Sequence, residues 1–380
     1  MDNQPNKKDY EGYFAEIENR LNSQRQNPAP NPRDPITKTS NSNYRRPKSK
    51  KKITLYRTFL INAVTIVVGL SIMITVIVLT VRSCKTGKTE KNTSGEQKTV
   101  SVTAKDEKKV SFNAKKDDGY IEVGEDIMSK SVVFIDTEKN RIVAGRNMYE
   151  KMYPASTTKI MTLLVAVENV KDMSDTFTMT YQITDPLYKA EATVAGFTAG
   201  EVLTMDDLLY GTILPSGGDA AIGLAIKVAG SEEEFVKLMN KKAKELKLSS
   251  THFANCTGLF DKENYTTAYD LSVILRAAMD NETCKKILAT YKYTTSKTEK
   301  HPDGIELENT LFKYMYGTEP ENAVILGGKT GYIGESGYCI ASFGEDKNGK
   351  EYVCVTLFAP SRWPAVYDQI NIYTEYTKGE

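Results

Sequence analysis

An uncharged run of 24 residues, positions 58–81, constrains the organisation of this 380-residue chain more than any other feature. As an α-helix the run is about 36 Å long, at ~1.5 Å per residue, which is enough to cross the hydrocarbon core of a bilayer with some tilt. The alternative, a buried helix of a soluble domain, is disfavoured because no polar stripe recurs at helical spacing and because Arg and Lys clusters flank the run on both sides. We therefore predict a transmembrane helix over residues 58–81.

The charges that flank this run predict its orientation. Upstream, residues 45–57 contain seven basic side chains and no acidic one, whereas the lysines downstream are more widely spaced. The positive-inside rule then puts residues 1–57 in the cytoplasm and the large C-terminal part outside. We expect a single-pass protein of the cell membrane, with its N-terminus cytoplasmic and its folded domain extracellular.

Composition divides the rest of the chain into three parts. Residues 1–57 are rich in Asn, Gln, Pro and charge, which predicts a disordered cytoplasmic arm. Residues 82–118 are polar and lysine-rich, which is typical of a solvated extracellular stalk. Residues 119–380 form the expected folded domain and carry 27 Lys+Arg against 37 Asp+Glu, a net charge of −10. This charge argues against binding to a phosphate backbone, so we expect no nucleic-acid partner.

Histidine and cysteine usage limits the chemistry available to the domain. The chain has two histidines, His252 and His301, which argues against a His-rich zinc site. Its five cysteines contain no C-x-x-C pair, so neither a metal knuckle nor a disulfide scaffold is indicated. Pairing of Cys339 with Cys354 on the last two strands stays open. We expect no metal and no cofactor.

Predicted strands lie at both ends of the domain, and helices lie between them. Alternating or apolar runs flanked by turns predict the strands, and apolar residues at 3–4 spacing after capping residues predict the helices. In chain order they are a hairpin at 131–145, helices that begin near Ser156, Thr204, Ser216 and Ser231, a helix at 267–280, strands at 337–343 and 351–358, and a closing helix at 363–376. The order predicts an α+β fold, with one antiparallel sheet built from both ends of the domain and a helical subdomain inserted.

Ser156 and Lys159 are the first candidates for chemistry. At a spacing of three residues on a helix, the two side chains lie on one face. A lysine can take the proton of a serine hydroxyl if burial lowers its pKa, because desolvation disfavours the ammonium form. The spacing alone is weak evidence, since Ser49 and Lys52 share it within the basic flank.

Lys329-Thr330-Gly331 is the second candidate, and it precedes the predicted strand at 337–343. Its cation and hydroxyl suit a substrate carboxylate, and Gly331 lets a ligand backbone approach closely. The same triplet begins at Lys85 in the stalk, so context and not the triplet distinguishes this site. A phosphate loop is excluded, because the Walker pattern needs glycine where Ala323 stands.

Ser216-Gly217-Gly218 is the third candidate, and it has two interpretations. One is a Pro-Ser-Gly-Gly turn between helices, with Ser216 as the N-cap of the second helix. The other is a loop that brings a second hydroxyl to the site. The local sequence leaves both open.

The order and spacing of the three candidates favour a functional interpretation more strongly than any one of them does alone. Ser156, Ser216 and Lys329 are 60 and 113 residues apart, within the strings YPASTTKIMT, LLYGTILPSGGDAA and GGKTGYIGESGYCIAS, and THFANCTGL and YTTAYDLS lie between them. Over roughly residues 120–375 the chain resembles the serine D-alanyl-D-alanine carboxypeptidases among the low-molecular-weight penicillin-binding proteins, whose boxes are S-x-x-K, S-x-N and K-T-G. The resemblance implies the serine β-lactamase/DD-peptidase-like fold.

The resemblance also implies catalytic roles. Ser156 would attack the carbonyl between two D-Ala residues of a peptidoglycan stem peptide and form an acyl-enzyme. Lys159 would take the proton of its hydroxyl, and Ser216 would relay a proton toward the leaving amine. Water would complete the hydrolysis, and β-lactam antibiotics would act as covalent inhibitors.

The substrate-binding residues follow from the same resemblance, with one departure. Lys329 and Thr330 would hold the terminal carboxylate beside Gly331, and the backbone N–H groups of Ser156 and Tyr332 would form the oxyanion hole. Gly218 stands where the family has asparagine in its second box. Loss of an amide contact of that kind costs about 1–3 kcal/mol.

Two alternatives remain. The Gly218 departure motivates a catalytically weak muropeptide-binding scaffold, whose N-terminal arm recruits a partner from the cell-wall machinery. A β-lactamase-like hydrolase shares the fold, but that interpretation needs a deacylating glutamate, and no such motif is evident.

Overall fold

The computed structural model describes residues 112–170 and 172–378. The predicted arm (1–57), transmembrane helix (58–81) and stalk as far as residue 111 lie outside the described residues, so these expectations stay predictions. Within the described part, none of the helices combines the length and apolarity that a bilayer crossing needs.

The folded domain includes the last residues of the predicted stalk. Ala114 is buried in the main hydrophobic core, and the Tyr269 hydroxyl donates a hydrogen bond to its carbonyl (3.0 Å). Lys115 forms a β-bridge with Arg141. The domain therefore begins before residue 119, where the sequence analysis places its start.

The described residues form a sheet of six strands, two short two-stranded ribbons and nine α-helices. The strands are β1 (Ile121–Glu122), β2 (Ser131–Asp136), β3 (Arg141–Arg146), β4 (Thr176–Thr178), β5 (Val202–Thr204), β6 (Lys292–Thr294), β7 (Glu306–Glu308), β8 (Ala323–Ile333), β9 (Gly337–Asp346) and β10 (Glu351–Ala359). The helices are α1 (Lys159–Asn169), α2 (Tyr181–Lys189), α3 (Met205–Ile213), α4 (Gly218–Ala229), α5 (Glu232–Glu245), α6 (Ala268–Met279), α7 (Glu282–Ala289), α8 (Thr310–Met315) and α9 (Arg362–Tyr376).

The six-stranded sheet joins the two ends of the domain. Its order is β1-β3-β2-β10-β9-β8, so N-terminal and C-terminal strands meet where β2 pairs with β10. The register there sets Val133 opposite Val355. The predicted sheet from both ends with a helical insert is confirmed, with one difference: the short β1 pairs parallel with β3, while the other pairs are antiparallel.

Both faces of the sheet are covered, because successive side chains of a strand point to opposite faces. Val133 and Ile135 of β2 belong to the main core, which they share with the helical insert. Val132 and Phe134 belong to a second cluster, in which Tyr373 of α9 packs edge-on against Phe134. Burial on both faces explains why β2 reads as an apolar run without alternation.

Capping residues start α3 and α5 as the sequence predicts. The Thr204 hydroxyl accepts from the Asp207 N–H (3.1 Å), and the Asp207 carboxylate accepts from the Thr204 N–H (3.0 Å), which completes the predicted capping box. The Ser231 hydroxyl caps α5 through the Glu234 N–H (3.1 Å). The sequence analysis does not predict α2, α7, α8, the two ribbons, β1 or β8, the strand that contains Lys329. All of these except β8 are short, and α2 contains Pro186.

The alternative disulfide between Cys339 and Cys354 is wrong. Both thiols are free and buried. Cys339 belongs to the main core and Cys354 to the second cluster, so they point to opposite faces of the sheet.

A buried carboxylate ties α9 to the start of β2, and its removal tests the packing of this end of the sheet. Asp368 accepts hydrogen bonds from the N–H of Met128 (2.9 Å) and from the N–H (2.7 Å) and hydroxyl (2.6 Å) of Ser129. We expect Asp368→Ala to lower the free energy of unfolding by about 3 kcal/mol in urea denaturation, because it leaves buried donors without an acceptor. The exposed control Asp303→Ala should stay within about 0.5 kcal/mol of wild type, and equal effects of the two would contradict this account.

Candidate active site

Ser156 lies in a single turn of 3₁₀-helix, Ala155–Thr158, that leads directly into α1. The predicted helix start near Ser156 is therefore correct to within one turn. Ala155 adopts a left-handed backbone with φ of 48°, which costs an alanine about 1–2 kcal/mol. Strain of this kind clusters at functional sites, and here it holds Ser156 half-buried before the first turn of α1.

The amine of Lys159 is buried against Ser156. Its Nζ donates hydrogen bonds to Ser156 Oγ (3.1 Å) and to the carbonyl of Thr257 (2.6 Å). Burial lowers the pKa of Lys159 to about 8, and the nearby charge of Asp219 opposes that shift. An amine with this pKa is partly neutral near neutral pH, so it can accept the proton of a serine hydroxyl.

The turn at residues 255–259 supports this pair, and sequence reasoning assigns it no role. The Asn255 side-chain oxygen accepts from the N–H groups of Thr257 (3.2 Å) and Gly258 (2.7 Å), while its amide donates to the carbonyl of Leu259 (3.0 Å). These bonds hold the Thr257 carbonyl against Lys159. The turn contributes a backbone oxygen, and no side chain, to the contact with Lys159. No residue type in the string THFANCTGL therefore indicates this role.

Gly258 of the same turn packs directly on the segment before the serine. Its φ is +79°, and a Cβ there would lie 1.9 Å from the carbonyl oxygen of Ala155 and 2.9 Å from the N atom of Ser156. Only glycine combines this backbone angle with so close an approach. The position of Ser156 therefore depends on a residue about 100 positions later in the chain.

Lys329 and Thr330 lie on β8, beside the serine and its lysine. Lys329 is fully buried, and its Nζ donates to the carbonyl of Thr330 (2.9 Å). Burial is the main cause that lowers the pKa of Lys329 well below its ordinary value, and the positive charge of Lys159 is the second cause. The Thr330 hydroxyl is 2.7 Å from that of Thr310 on α8, a partner that the sequence does not predict.

Gly331 and Tyr332 continue the same strand past the serine. A Cβ on Gly331 would lie 2.9 Å from the N atom of Ser156 and 3.0 Å from that of Thr157, so β8 and the 3₁₀ turn touch here without a side chain between them. The Tyr332 side chain is 56% exposed and packs on the ring of Tyr338. The backbone segments that the sequence analysis assigns to an oxyanion hole are thus direct neighbours.

Ser216 is not the N-cap of α4. That position belongs to Gly217, and no side chain caps the helix. Ser216 itself has a left-handed backbone with φ of 70° and is buried. Its hydroxyl has no hydrogen-bond partner among the residues that the structure describes. A buried hydroxyl without a protein partner is available to a ligand or to water.

A side chain at position 218 would be tightly packed already at its Cβ. A Cβ there would lie 3.2 Å from Leu187 on α2 and 3.3 Å from the carbonyl oxygen of Thr193. Asp219 does not fill the place of the missing amide, because its carboxylate accepts from the N–H of Ala195 (2.7 Å) and from those of residues 196 and 197 (3.1 Å each). The predicted substrate contact at Gly218 stays a prediction.

The close contact at Gly258 can be tested against a matched glycine. Gly230 has a similar φ, +86°, but a Cβ there would have nothing within 4 Å. We expect Gly230→Ala to cost about 1 kcal/mol of unfolding free energy, from backbone strain alone. Gly258→Ala should cost at least about 3 kcal/mol, because it also displaces the Ala155 carbonyl. Urea denaturation of both variants measures the difference, and similar losses would show that Gly258 does not support the serine segment.

Comparison with known proteins agrees with this geometry. The family model described as D-alanyl-D-alanine carboxypeptidase matches residues 113–361. The D-alanyl-D-alanine carboxypeptidase DacF of Bacillus subtilis is 34% identical over 234 residues, which cover 61% of this chain and 58% of that protein. A D-alanyl-D-alanine carboxypeptidase of Streptomyces sp. strain K15 is 32% identical over 213 residues, 54% of this chain and 72% of the relative. The chain thus spans less than two thirds of the Bacillus relative.

Solved structures share the fold of the domain. The crystal structure of the Streptomyces K15 DD-transpeptidase superposes with a TM-score of 0.60 at 27% identity, covering 66% of this chain and 97% of that one. A D-alanyl-D-alanine carboxypeptidase from Mycobacterium tuberculosis gives a TM-score of 0.56 at 27% identity, covering 64% of this chain and 89% of that one. With its α+β fold, its serine–lysine pair and the Lys-Thr-Gly strand beside them, the chain belongs to the D-alanyl-D-alanine carboxypeptidase family.

Proposed function

We propose that this protein is a serine D-alanyl-D-alanine carboxypeptidase that removes the terminal D-Ala from peptidoglycan stem peptides. The observation that carries the proposal is the 3.1 Å hydrogen bond between Lys159 Nζ and Ser156 Oγ, made by a buried amine beside the strand of Lys329 and Thr330. Membership of the family supports the same reaction.

In the proposed reaction the acyl group passes through Ser156. Its Oγ attacks the carbonyl carbon between the two D-Ala residues, and the neutral amine of Lys159 takes the hydroxyl proton. The C–N bond then breaks, and the proton on Lys159 passes by way of the Ser216 hydroxyl to the leaving amine, so that Lys159 is neutral again. Water attacks the resulting ester and gives a proton to Lys159. The ester bond then breaks, Lys159 returns this proton to Ser156 Oγ, and the shortened peptide leaves.

The substrate carboxylate is proposed to bind at Lys329 and the Thr330 hydroxyl. Because burial holds the pKa of Lys329 well below its ordinary value, a carboxylate placed beside the amine stabilises its ammonium form. The developing oxyanion would accept hydrogen bonds from the N–H groups of Ser156 and Tyr332, and β-lactams would acylate Ser156 by the same route.

A second candidate function, a catalytically weak muropeptide-binding scaffold, is favoured by one observation. Gly218 supplies no side chain to the second box, and Asp219 is committed to the backbone of residues 195–197. An enzyme without that amide would be about ten- to hundredfold slower, if the contact counts in the transition state. Repeated release of D-Ala distinguishes the enzyme from the scaffold.

We propose a single-pass membrane location with the catalytic domain outside the cell. The uncharged run at 58–81 and its basic flank support this topology. Residue 112 lies beside Arg276 and Asn140 at the β2–β3 turn, which is one end of the sheet. Tyr332 and Tyr338 lie at the opposite end of the sheet. The described part of the chain therefore begins at the end of the sheet that is far from Tyr332. The N-terminal arm would be free to bind a partner from the cell-wall machinery.

Release of D-Ala from a stem pentapeptide tests the nucleophile directly. With the full-length protein in detergent, we expect Ser156→Ala to lower the rate at least ~1000-fold, since no other group forms the acyl-enzyme. The exposed control Ser249→Ala should retain wild-type activity within about twofold. Undiminished release by Ser156→Ala would exclude this mechanism, whereas no release by folded wild-type protein would favour the scaffold.

The pKa of Lys159 sets the pH dependence of acylation. The base must be neutral, so the rate constant for acylation by a β-lactam should rise with pH and reach half of its maximum near pH 8. Below that pH each unit should cost about tenfold, because the ammonium form accumulates. Lys159→Arg should be at least ~100-fold slower at every pH, since arginine stays protonated. A flat profile between pH 6 and 9 would show that Lys159 is not the base.

A further inference from the structure

Two successive carbonyl groups of the turn at residues 255–259 lie against the face of α1 that carries Lys159. The carbonyl of Thr257 accepts the hydrogen bond from Lys159 Nζ (2.6 Å). The carbonyl of Cys256 accepts from the hydroxyl of Thr162 (2.7 Å), which is three residues after Lys159 on the same helix. Any movement of this turn therefore moves an acceptor of the buried amine.

Glu232, the first residue of α5, binds the turn through Cys256. Its Oε1 accepts hydrogen bonds from the N–H (3.1 Å) and from the thiol (3.2 Å) of Cys256. Cys256 is fully buried, and burial, with the charge of Glu232 as the second cause, raises the pKa of its thiol well above the ordinary value. The thiol therefore stays protonated at neutral pH and donates to the carboxylate.

The same helix holds the segment before the turn at a second point. The Asn240 side chain donates to the carbonyl of Phe253 (2.8 Å) and accepts from its N–H (3.0 Å). With the Glu232 contact, α5 thus holds residues 253–256 at both ends. Of the two anchors, the Glu232 contact is the one directly before Thr257.

Stabilisation of the helix start does not account for the place of the Glu232 side chain. The Ser231 hydroxyl already caps α5, and Glu233 and Glu234 also put negative charge into its first turn. Both of these glutamates are exposed, whereas Glu232 is half-buried. A carboxylate turned from water toward a thiol and an N–H loses solvation that an exposed glutamate keeps. The contact with Cys256 is therefore the feature that distinguishes Glu232 from its neighbours.

We infer that Glu232 is a positioning residue for the proposed reaction, on which this inference rests. It acts through Cys256 and the Thr257 carbonyl. The contact thereby holds the Lys159 amine against Ser156. Without it the amine is less well placed to take the serine proton, so acylation slows. The ammonium form also loses part of its acceptor, so the pKa of Lys159 falls.

The titration of Lys159 can report the position of the turn. Among the described residues, the titratable groups that face its amine are the Cys256 thiol, Asp219 of α4 and Lys329 of β8. A substitution at position 232 leaves all three in place. A shift in the pKa of Lys159 would then follow from a change at its Thr257 acceptor, which a purely structural role of Glu232 would not produce.

The first experiment measures acylation of the full-length protein in detergent by a β-lactam as a function of pH. We expect Glu232→Ala to lower the maximal rate constant about tenfold and to move the half-maximum about half a pH unit below that of wild type. Glu232→Asp should behave alike, because it keeps the charge but is too short for the contact. Glu232→Gln keeps an acceptor oxygen at the same reach, so it should stay within about threefold of wild type.

The control for this series is Glu233→Ala, an exposed glutamate on the same turn of α5. It should change neither the maximal rate constant nor the half-maximum. Wild-type behaviour of Glu232→Asp would overturn the inference, because the charge and not the contact would then matter. Equal effects of Glu233→Ala and Glu232→Ala would overturn it as well.

The second experiment does not depend on catalysis. NMR of the full-length protein labelled at its lysine Cε atoms follows the titration of Lys159, whose signal is the one that Lys159→Arg removes. We expect a midpoint near pH 8 in wild type and a lower midpoint in Glu232→Asp. A lowered midpoint in a protein that neither releases D-Ala nor reacts with β-lactams would keep the positioning role and reject the proposed function. An unchanged midpoint in an active enzyme would keep the function and reject the positioning role.

Discussion

The burial of the Lys159 amine is the constraint on which the rest of the site depends. A lysine in an apolar interior is costly in its charged form, and the protein satisfies it with a serine hydroxyl, a backbone carbonyl and a nearby carboxylate. Each partner comes from a different part of the chain: Ser156 from the turn before α1, Thr257 from a distant loop and Asp219 from α4. The contacts that stabilise the buried amine therefore also hold it where it can act as a base toward Ser156. A less buried lysine would be easier to accommodate and would not deprotonate a serine.

Much of the fold can be predicted from the sequence, because its long elements carry local signals. Apolar runs on both sides of turns indicate β2, β3, β9 and β10, and hydroxyl or acidic caps mark the starts of α3 and α5. The shorter elements lack such signals. α8 has six residues, and its contribution is the contact of Thr310 with Thr330, which depends on tertiary packing alone. The α2 helix is stabilised by burial of Ile183 and Leu187, despite Pro186 within it.

The active site, like the fold, contains some residues whose roles can be predicted from the sequence and others whose roles cannot. Ser156, Lys159 and Lys329 can be predicted because the chemistry needs their side chains in a recognisable order, and the structure brings them into one cleft. The turn at residues 255–259 cannot be predicted, because it contributes a carbonyl oxygen and the absence of a Cβ at Gly258. For the second box, residues 216–218, the local sequence favours an interpretation that the structure does not show. Its sequence suggests a capping serine, yet Gly217 occupies the cap and leaves the Ser216 hydroxyl without a protein partner.

The pairing of β2 with β10 also has a consequence for the order in which the protein can fold. Some 220 residues separate the two strands, so the apolar edge of β2 stays unpaired until residues 351–359 have been synthesised. Contacts of such high sequence separation slow folding, and an exposed apolar edge invites association with other chains. The Lys-Thr-Gly strand β8 and its neighbour β9 are also synthesised late, at residues 323–346. A chain interrupted before residue 323 would therefore lack three of the six strands of the sheet, together with Lys329 and Thr330.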